Sequence, residues 1–169
     1  MSNLRAREPL ERALRLFRER PSAAKKNVPA TAVLRGGLQC EITSPDGQKA
    51  VTDMPVALGG DGSGPTPGWL FRASLASCSA TAIAMRAAMR GIELSQLEVS
   101  VQGELDARGA VGIEGVPLAL GKMRMSVKIS ADNAPESQLL EIVEWGTTQS
   151  TVIATVRGCS PVAVDISVV

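Results

Sequence analysis

The chain has 169 residues, of which 44% are hydrophobic and 21% are charged, and its formal net charge is +1. These values are typical of one soluble globular domain and give no reason to expect nucleic-acid binding. The sequence contains no histidine, which excludes a Ser–His or Cys–His catalytic pair and most zinc or iron sites, so we expect neither a metal nor a cofactor.

The three cysteines, Cys40, Cys78 and Cys159, are widely spaced along the chain. This spacing matches neither a disulfide framework nor a CxxC metal motif. The sequence also shows no signal-peptide pattern and no apolar run long enough to cross a membrane. We therefore expect a reducing, cytoplasmic setting and no membrane partner.

The first segment, residues 1–28, is basic, with eight Lys and Arg against three acidic residues. Residues 9–20 place four apolar side chains on one stripe, which predicts a short amphipathic helix. This helix either docks on its own domain or a partner subunit, or contacts an anionic surface. We interpret residues 1–28 as a helical arm and linker, and residues 29–169 as a single domain.

A β-hairpin region follows, because Leu38, Cys40 and Ile42 alternate with polar residues and lead into the turn sequence SPDGQ. The alternation makes Cys40 an inward-facing strand residue. The glycine-rich stretch 55–66 is expected to be a flexible connection, since no GK[ST] follows it.

A long helix is predicted next. Thr66 and Pro67 form an N-cap and first-turn pair, and the helix can run to about Arg90, with Gly91 as its stop. Its middle is apolar or small nearly all round, which indicates a buried central helix. One face carries residues at three- and four-residue spacing: Phe71, Leu75, Cys78, Ala82 and Met85.

Beyond the long helix, alternating apolar residues predict strands starting near residues 97 and 122. Pro135 opens a second helix, with helical character continuing through 150–156 after a break near Gly146. Residues 161–169 have the pattern of a final strand. This order predicts an α+β domain with a mostly antiparallel sheet packed on two helices.

The sequence GPTPGWLFRASLASCSATAIAMRAAMRGIEL, residues 64–94, followed by LEVSVQGELD, resembles the OsmC/Ohr family (osmotically inducible protein C and organic hydroperoxide resistance proteins). The resemblance extends over about residues 35–169. It implies an intertwined homodimer in which sheets from both chains wrap long central helices. The small residues around Cys78 would allow these helices to approach closely.

The resemblance also implies chemistry. Enzymes of this family are thiol peroxidases, and Cys78 matches the cysteine that attacks an organic hydroperoxide. In those enzymes an arginine from an N-terminal loop, held by a glutamate, stabilises the thiolate. Arg35 is the best stand-in for that arginine, and Arg72 is its rival.

Two departures from the family pattern bear on this chemistry. Gly68 stands where the glutamate is expected, and Ser150 stands at the position of the second cysteine, while Cys159 lies nine residues further on. Cys78 then needs an external thiol, such as a lipoyl group, unless Cys159 reaches it by a different geometry.

Two functions therefore remain open. The chain is either a peroxidase that uses Cys78, or a non-catalytic homodimer that binds an apolar small molecule or serves a structural role. In the second case Cys78 is a packed, unreactive side chain.

Overall fold

The computed structural model describes residues 2–168, and it has the α+β architecture with antiparallel sheets that the sequence predicts. The helices are α1 (Arg7–Glu19), α2 (Pro67–Met89), α3 (Ala107–Ala110), α4 (Glu136–Thr148) and α5 (Thr151–Arg157), and the strands are β1 (Thr31–Gly36), β2 (Gln39–Thr43), β3 (Lys49–Thr52), β4 (Gln96–Glu104) and β5 (Gly121–Ser130). Short 3-10 turns lie at Asn3–Ala6, Pro21–Ala24 and Val56–Leu58. In the part of the chain described, no helix is both long and apolar enough to cross a membrane.

The chain divides into two compact units, residues 8–74 and residues 2–7 with 75–168. The first unit contains α1 and an antiparallel sheet in the order β1-β2-β3. The predicted turn between β2 and β3 is confirmed, because Ser44 and Gln48 close it with a 3.0 Å backbone hydrogen bond. Cys40 pairs with Leu34 on one side and Thr52 on the other, as expected of a strand residue.

The glycine-rich stretch is held in place, contrary to our expectation of a flexible connection. Asp53 is buried, and its carboxylate accepts hydrogen bonds from the backbone N–H groups of Met54, Asp61 and Ser63 and from the Ser63 hydroxyl. The Ser63 backbone N–H is the main reason that the pKa of Asp53 is lowered, and burial only partly opposes it. A side chain at Gly60 would collide with the Met54 carbonyl group, so this close turn requires glycine.

The long central helix is confirmed as α2. The Thr66 hydroxyl accepts the Trp69 backbone N–H at 3.2 Å, which is the predicted N-cap. Gly91 follows the helix with a φ of 70°, a left-handed conformation that ends it.

The core of the second unit lies between helices and a two-stranded sheet. β4 and β5 pair antiparallel, and the pairs Leu97–Ile129 and Val99–Val127 lie on one face. That face packs against a buried cluster from α2, α4 and the segment between α2 and β4, which consists of Ile83, Ala87, Ile92, Leu139 and Ile142. The N-terminal residues join this unit, because the Asn3 side chain bonds the backbone of Ile92 and Leu94 at 2.9 Å each.

α4 packs closely on α2 within this unit. A Cβ atom added at Gly146 would lie 2.7 Å from the backbone nitrogen of Ile83, so only glycine permits this approach. Near one end of the contact, Glu141 of α4 forms ion pairs with Arg86 and Arg90 of α2. Beyond Gly146, the break between α4 and α5 places Ser150 beside Cys78.

The predicted final strand is absent from its described part. Residues 161–168 have no regular secondary structure, and Val169 lies outside the described residues. A strand requires a neighbouring strand for its backbone hydrogen bonds. The apolar side chains of the alternating pattern are instead largely exposed: Val162, Val164, Ile166 and Val168.

Candidate functional site

The candidate site is the contact between Cys78 and the start of α5. Cys78 lies in the middle of α2, three residues after the buried Leu75, and its side chain is half-buried. Ser150 is the N-cap of α5, and its fully buried hydroxyl oxygen accepts the Ile153 backbone N–H at 3.4 Å. A serine cap is favourable at this position, and it fixes where the first turn of α5 begins.

Four polar groups of this turn surround the sulfur. The Cys78 Sγ lies 3.6 Å from the Thr151 Oγ1. The Ser150 hydroxyl and the backbone N–H groups of Thr151 and Val152 also act on the sulfur as donors that lower the pKa of Cys78. The first N–H groups of any helix lack partners within it, so the sulfur satisfies donors that would otherwise be unpaired.

These contacts determine the ionisation of Cys78. Burial alone raises the pKa of a thiol, and it is the largest single influence here. The hydrogen bonds from Ser150, Val152 and Thr151 together outweigh it, so the pKa of Cys78 is lowered. The arrangement thus favours a thiolate, which is the nucleophilic form of cysteine.

Arg35, the expected activating cation, lies on β1 and ion-pairs with Glu41 of β2. The hydrogen bond from Arg35 is the main cause of the lowered pKa of Glu41. Arg72 lies half-buried in α2. The donors around the sulfur are hydroxyl and amide groups of the 150–152 segment, so a role for either arginine stays a prediction.

Cys159 lies at the other end of α5. Its side chain is exposed, with its sulfur 3.9 Å from the Val156 carbonyl oxygen. The seven residues from Thr151 to Arg157 span about 9 Å along the helix, and Cys159 follows two residues later. A disulfide needs Cα atoms within about 7 Å, so Cys159 does not pair with Cys78 in this geometry. All three cysteines are free.

Cys78 and Ser150 were predicted from the sequence, whereas the contributions of Thr151 and Val152 were not. Both residues act through backbone N–H groups, and a pattern of side chains does not show where such groups will lie. A signal was nevertheless present, because a serine directly before a helical stretch marks an N-cap, and an N-cap marks where free N–H groups lie.

An apolar groove begins near this site. It has a volume of about 260 Å³. It is lined by one residue of α2, side chains of β4 and β5, and one side of α5: Leu75, Val101, Met123, Arg124, Met125, Ile153, Val156 and Arg157. Leu75 lies three residues before Cys78 in α2, and Ile153 directly follows the 150–152 segment.

A sequence model of the family described as OsmC-like protein matches residues 60–165. A comparison with curated proteins finds no significant match. The fold is similar to an OsmC-like protein from Mycoplasma pneumoniae (TM-score 0.63, 19% identity, covering 79% of this chain and 89% of the other). It is also similar to a putative osmotic stress induced and detoxification response protein from Psychrobacter arcticus (TM-score 0.62, 18% identity, 78% and 89%).

A third similar structure is the organic hydroperoxide resistance protein OhrB of Bacillus subtilis, with a TM-score of 0.51 and 25% identity over 79% of this chain and 92% of the other. The family match covers well over half of this chain and includes the whole stretch from the start of α2 to the start of α5. The chain therefore belongs to the family of OsmC-like proteins.

Proposed function

We propose that this protein reduces organic hydroperoxides through Cys78, using an external thiol as the reductant. The observation that carries the proposal is the position of the Cys78 sulfur at the start of α5, 3.6 Å from the Thr151 Oγ1, where hydrogen-bond donors of Ser150, Thr151 and Val152 lower the pKa of Cys78. The similarity to a hydroperoxide resistance protein supports the choice of substrate. A sulfur that is half-buried, rather than sealed, is open to a small oxidant.

The first step oxidises Cys78. The thiolate attacks one oxygen of the hydroperoxide, so an S–O bond forms as the O–O bond breaks. The alkoxide leaves and takes up a proton to become an alcohol, and Cys78 becomes a sulfenic acid. The hydroperoxide is reduced by two electrons that come from the sulfur.

The second step returns the sulfur to its reduced form. A thiol attacks the sulfenic acid, releases water and leaves a mixed disulfide on Cys78. A second thiol then releases Cys78 as the oxidised reductant departs as a disulfide. The protein has a serine at position 150 and an exposed, distant Cys159, so both thiols come from outside, for example from a dihydrolipoyl group.

Turnover of cumene hydroperoxide with dihydrolipoamide tests this proposal. We expect Cys78→Ser to abolish enzyme-dependent turnover and Cys159→Ser to leave it within about twofold, because the donors that favour a thiolate act on Cys78. Equal turnover by the Cys78→Ser variant and the parent would overturn the assignment.

A second candidate function is the binding of an apolar small molecule without turnover. The groove lined by Leu75, Val101, Met123 and Met125 favours it, because an aliphatic and Met-lined cleft suits an acyl chain. Native mass spectrometry of the protein isolated from cells tests it. A retained ligand without peroxide turnover supports this function, and an empty protein with rapid turnover contradicts it.

We further propose that the protein is a homodimer, as proteins of this family typically are. The exposed apolar alternation of residues 161–168 supports this, since such a segment has the pattern of a strand that lacks its neighbour.

A further inference from the structure

A series of contacts between α2 and α4 leads towards Cys78. The contacting pairs follow one another with residue numbers that fall along α2 and rise along α4: Arg90–Glu141, Arg86–Trp145 and Ile83–Gly146. The next contact in the same direction joins Cys78 to the first turn of α5, where the Thr151 Oγ1 lies 3.6 Å from the sulfur. The position of α4 along α2 therefore decides where the donors beside Cys78 lie.

Trp145 lies close to the end of α4 that faces the site. It is three residues before the helix ends at Thr148, and its carbonyl oxygen accepts the backbone N–H of Gln149 at 2.9 Å. Ser150, the N-cap of α5, follows directly. Because Gln149 alone separates the end of α4 from this cap, a movement of Trp145 along α2 is passed on to Ser150.

Arg86 holds Trp145 in place. Its guanidinium carbon lies over the indole ring, 4.9 Å from the ring centroid, and its Nη2 pairs with the Glu141 Oε1 at 3.2 Å. A cation–π contact is stronger where water is partly excluded, and the Arg86 side chain is 26% exposed against 48% for Arg90. Gly146 lets the two backbones approach but has no side chain that would resist sliding, so this resistance comes from its neighbour Trp145.

One atom of Arg86 shows what the arginine adds. Its Nε is buried and has no acceptor among residues 2–168, which is an unfavourable arrangement for a donor. An aliphatic side chain would fill the same space without this unpaired group. The contribution of the arginine is therefore its directional contact with the ring of Trp145 and the carboxylate of Glu141.

We propose that Arg86 is a positioning residue for the Cys78 site: its contact with Trp145 fixes the position of α4 on α2 and so holds the donors of the 150–152 segment beside the sulfur. The consequence for catalysis rests on the proposed function. Arg86 lies eight residues from Cys78, which is about 12 Å along α2, so it does not touch the sulfur. Because charges are largely screened over such a distance, the effect is one of geometry.

The pH dependence of Cys78 alkylation tests the inference without any hydroperoxide. Labelling of the full chain by iodoacetamide is followed at Cys78 by peptide mass spectrometry across pH. Trp145→Leu removes the ring but no charge, and Arg86→Gln removes the guanidinium. We expect each variant to move the curve to higher pH by about half a unit, which slows alkylation at pH 7 by about threefold, since one unit corresponds to tenfold in thiolate below the pKa.

Arg90→Gln is the matched control. It loses an ion pair with the same Glu141, but the ring contact belongs to Arg86. This variant should leave the curve unchanged. Equal shifts in Arg86→Gln and Arg90→Gln would overturn the inference. So would parent curves in Arg86→Gln and Trp145→Leu together with lower melting temperatures, because they would show that the contact stabilises the fold without placing the donors.

Two conservative variants keep the test decisive if the stronger ones fail to fold. Trp145→Phe keeps a ring face and should retain most of the parent behaviour. Arg86→Lys keeps the charge but loses the planar stacking on the ring, so it should give a smaller shift in the same direction. A curve for Arg86→Lys that coincides with that of the parent would then overturn the inference.

Turnover of cumene hydroperoxide separates this inference from the proposed function. The kcat/KM at pH 7 should fall by about threefold in Trp145→Leu and should not change in Arg90→Gln. If the parent reduces no hydroperoxide while the alkylation curves still shift, the proposed function fails and the positioning inference stands. If the parent reduces hydroperoxide and Trp145→Leu is alkylated like the parent, the inference fails and the proposed function stands.

Discussion

At the scale of single residues, the proposed chemistry depends on Ser150, which the family resemblance aligns with a second cysteine. Its buried hydroxyl caps α5 and is one of the donors that lower the pKa of Cys78. A serine cannot form a disulfide after Cys78 is oxidised, but it stabilises the thiolate before oxidation. The same side chain therefore links the local structure of α5 to the reactivity of Cys78.

Removing the Thr151 hydroxyl tests the contribution of a single donor to this stabilisation. Thr151→Val keeps the size of the side chain but removes one donor to the sulfur, which lies 3.6 Å away. Hydrogen bonds to the charged form lower a thiol pKa, so their loss raises the pKa of Cys78 and shifts the pH–rate curve for alkylation to higher pH. We expect alkylation by iodoacetamide at pH 7 to slow by up to about tenfold.

The matched control is Thr155→Val, one turn further along α5, whose hydroxyl bonds only the Thr151 carbonyl oxygen. It should leave the pH–rate curve unchanged. Equal curves for Thr151→Val and the parent would contradict the account of the lowered pKa.

Ser150→Cys should allow Cys78 to form a disulfide within the chain. Because the Ser150 hydroxyl already contacts the Cys78 sulfur, a thiol at this position lies close enough to condense with a sulfenic acid. One equivalent of cumene hydroperoxide should give a disulfide between positions 78 and 150, measured by peptide mapping without reduction. A stable sulfenic acid in this variant would show that the two positions do not meet.

The site was only partly predictable from sequence. Cys78 and Ser150 were found through the family resemblance, while the amide donors of Thr151 and Val152 required knowledge of where α5 begins. Arg35 was chosen for its place before the first hairpin, and the structure shows that it pairs with Glu41. A charge pattern along the chain does not show which opposite charge will be nearest after folding.

At the scale of elements, the site depends on the contact between α2 and α4. Gly146→Ala should destabilise the protein by about 1–3 kcal/mol, because the added methyl group would collide with the backbone of Ile83. Thermal unfolding measures this. Gly68→Ala is the control, since a Cβ there meets no atom within 4 Å, and alanine is the better helix former; a comparable loss in both variants would contradict the argument.

The loop before α2 should respond to acid through Asp53. Its pKa is lowered in the folded protein, so its contribution to stability is present above the unfolded value near pH 4 and is lost as the pH falls through the folded value. Asp53→Asn should speed hydrogen exchange in residues 60–65 at pH 6 and weaken the effect of acid on the melting temperature. Asp61 bonds the Asp53 carboxylate through its backbone N–H alone. Asp61→Asn should therefore change neither the hydrogen exchange nor the effect of acid on the melting temperature. Unchanged exchange in Asp53→Asn would show that the carboxylate does not hold the loop.

Elements with a strong local pattern were predictable, and elements that depend on distant partners were not. The cap at Thr66 and the apolar alternation of β4 and β5 are local, and both were confirmed. The ordering of residues 59–65 depends on Asp53, several residues upstream, and was missed. The alternation in residues 161–168 is as regular as that of β4, but a strand also needs a neighbour, which the sequence does not reveal.

At the scale of the whole molecule, the exposed tail, residues 161–168, allows a test of the proposed dimer. Light scattering should give twice the 17.6 kDa mass of the chain. Replacing Val164 and Ile166 with lysine should lower this mass, because both side chains lie on the apolar side of the alternation. The control pair, Ala163→Lys with Asp165→Lys, changes the opposite side of the alternation and should leave the mass unchanged. If the dimer also tolerates lysine at Val164 and Ile166, it does not use this tail.

Selective activation of the Cys78 sulfur can be tested against two internal controls, since Cys40 and Cys159 are also free. The most direct measurement adds limiting cumene hydroperoxide to the native protein, traps sulfenic acids with dimedone and quantifies all three cysteines by mass spectrometry across pH. Cys78 should take nearly all of the label, with half-maximal labelling at a pH below the pKa of about 8.5 of an ordinary cysteine. Labelling spread evenly over the three cysteines, or found on exposed Cys159 instead of Cys78, would contradict it.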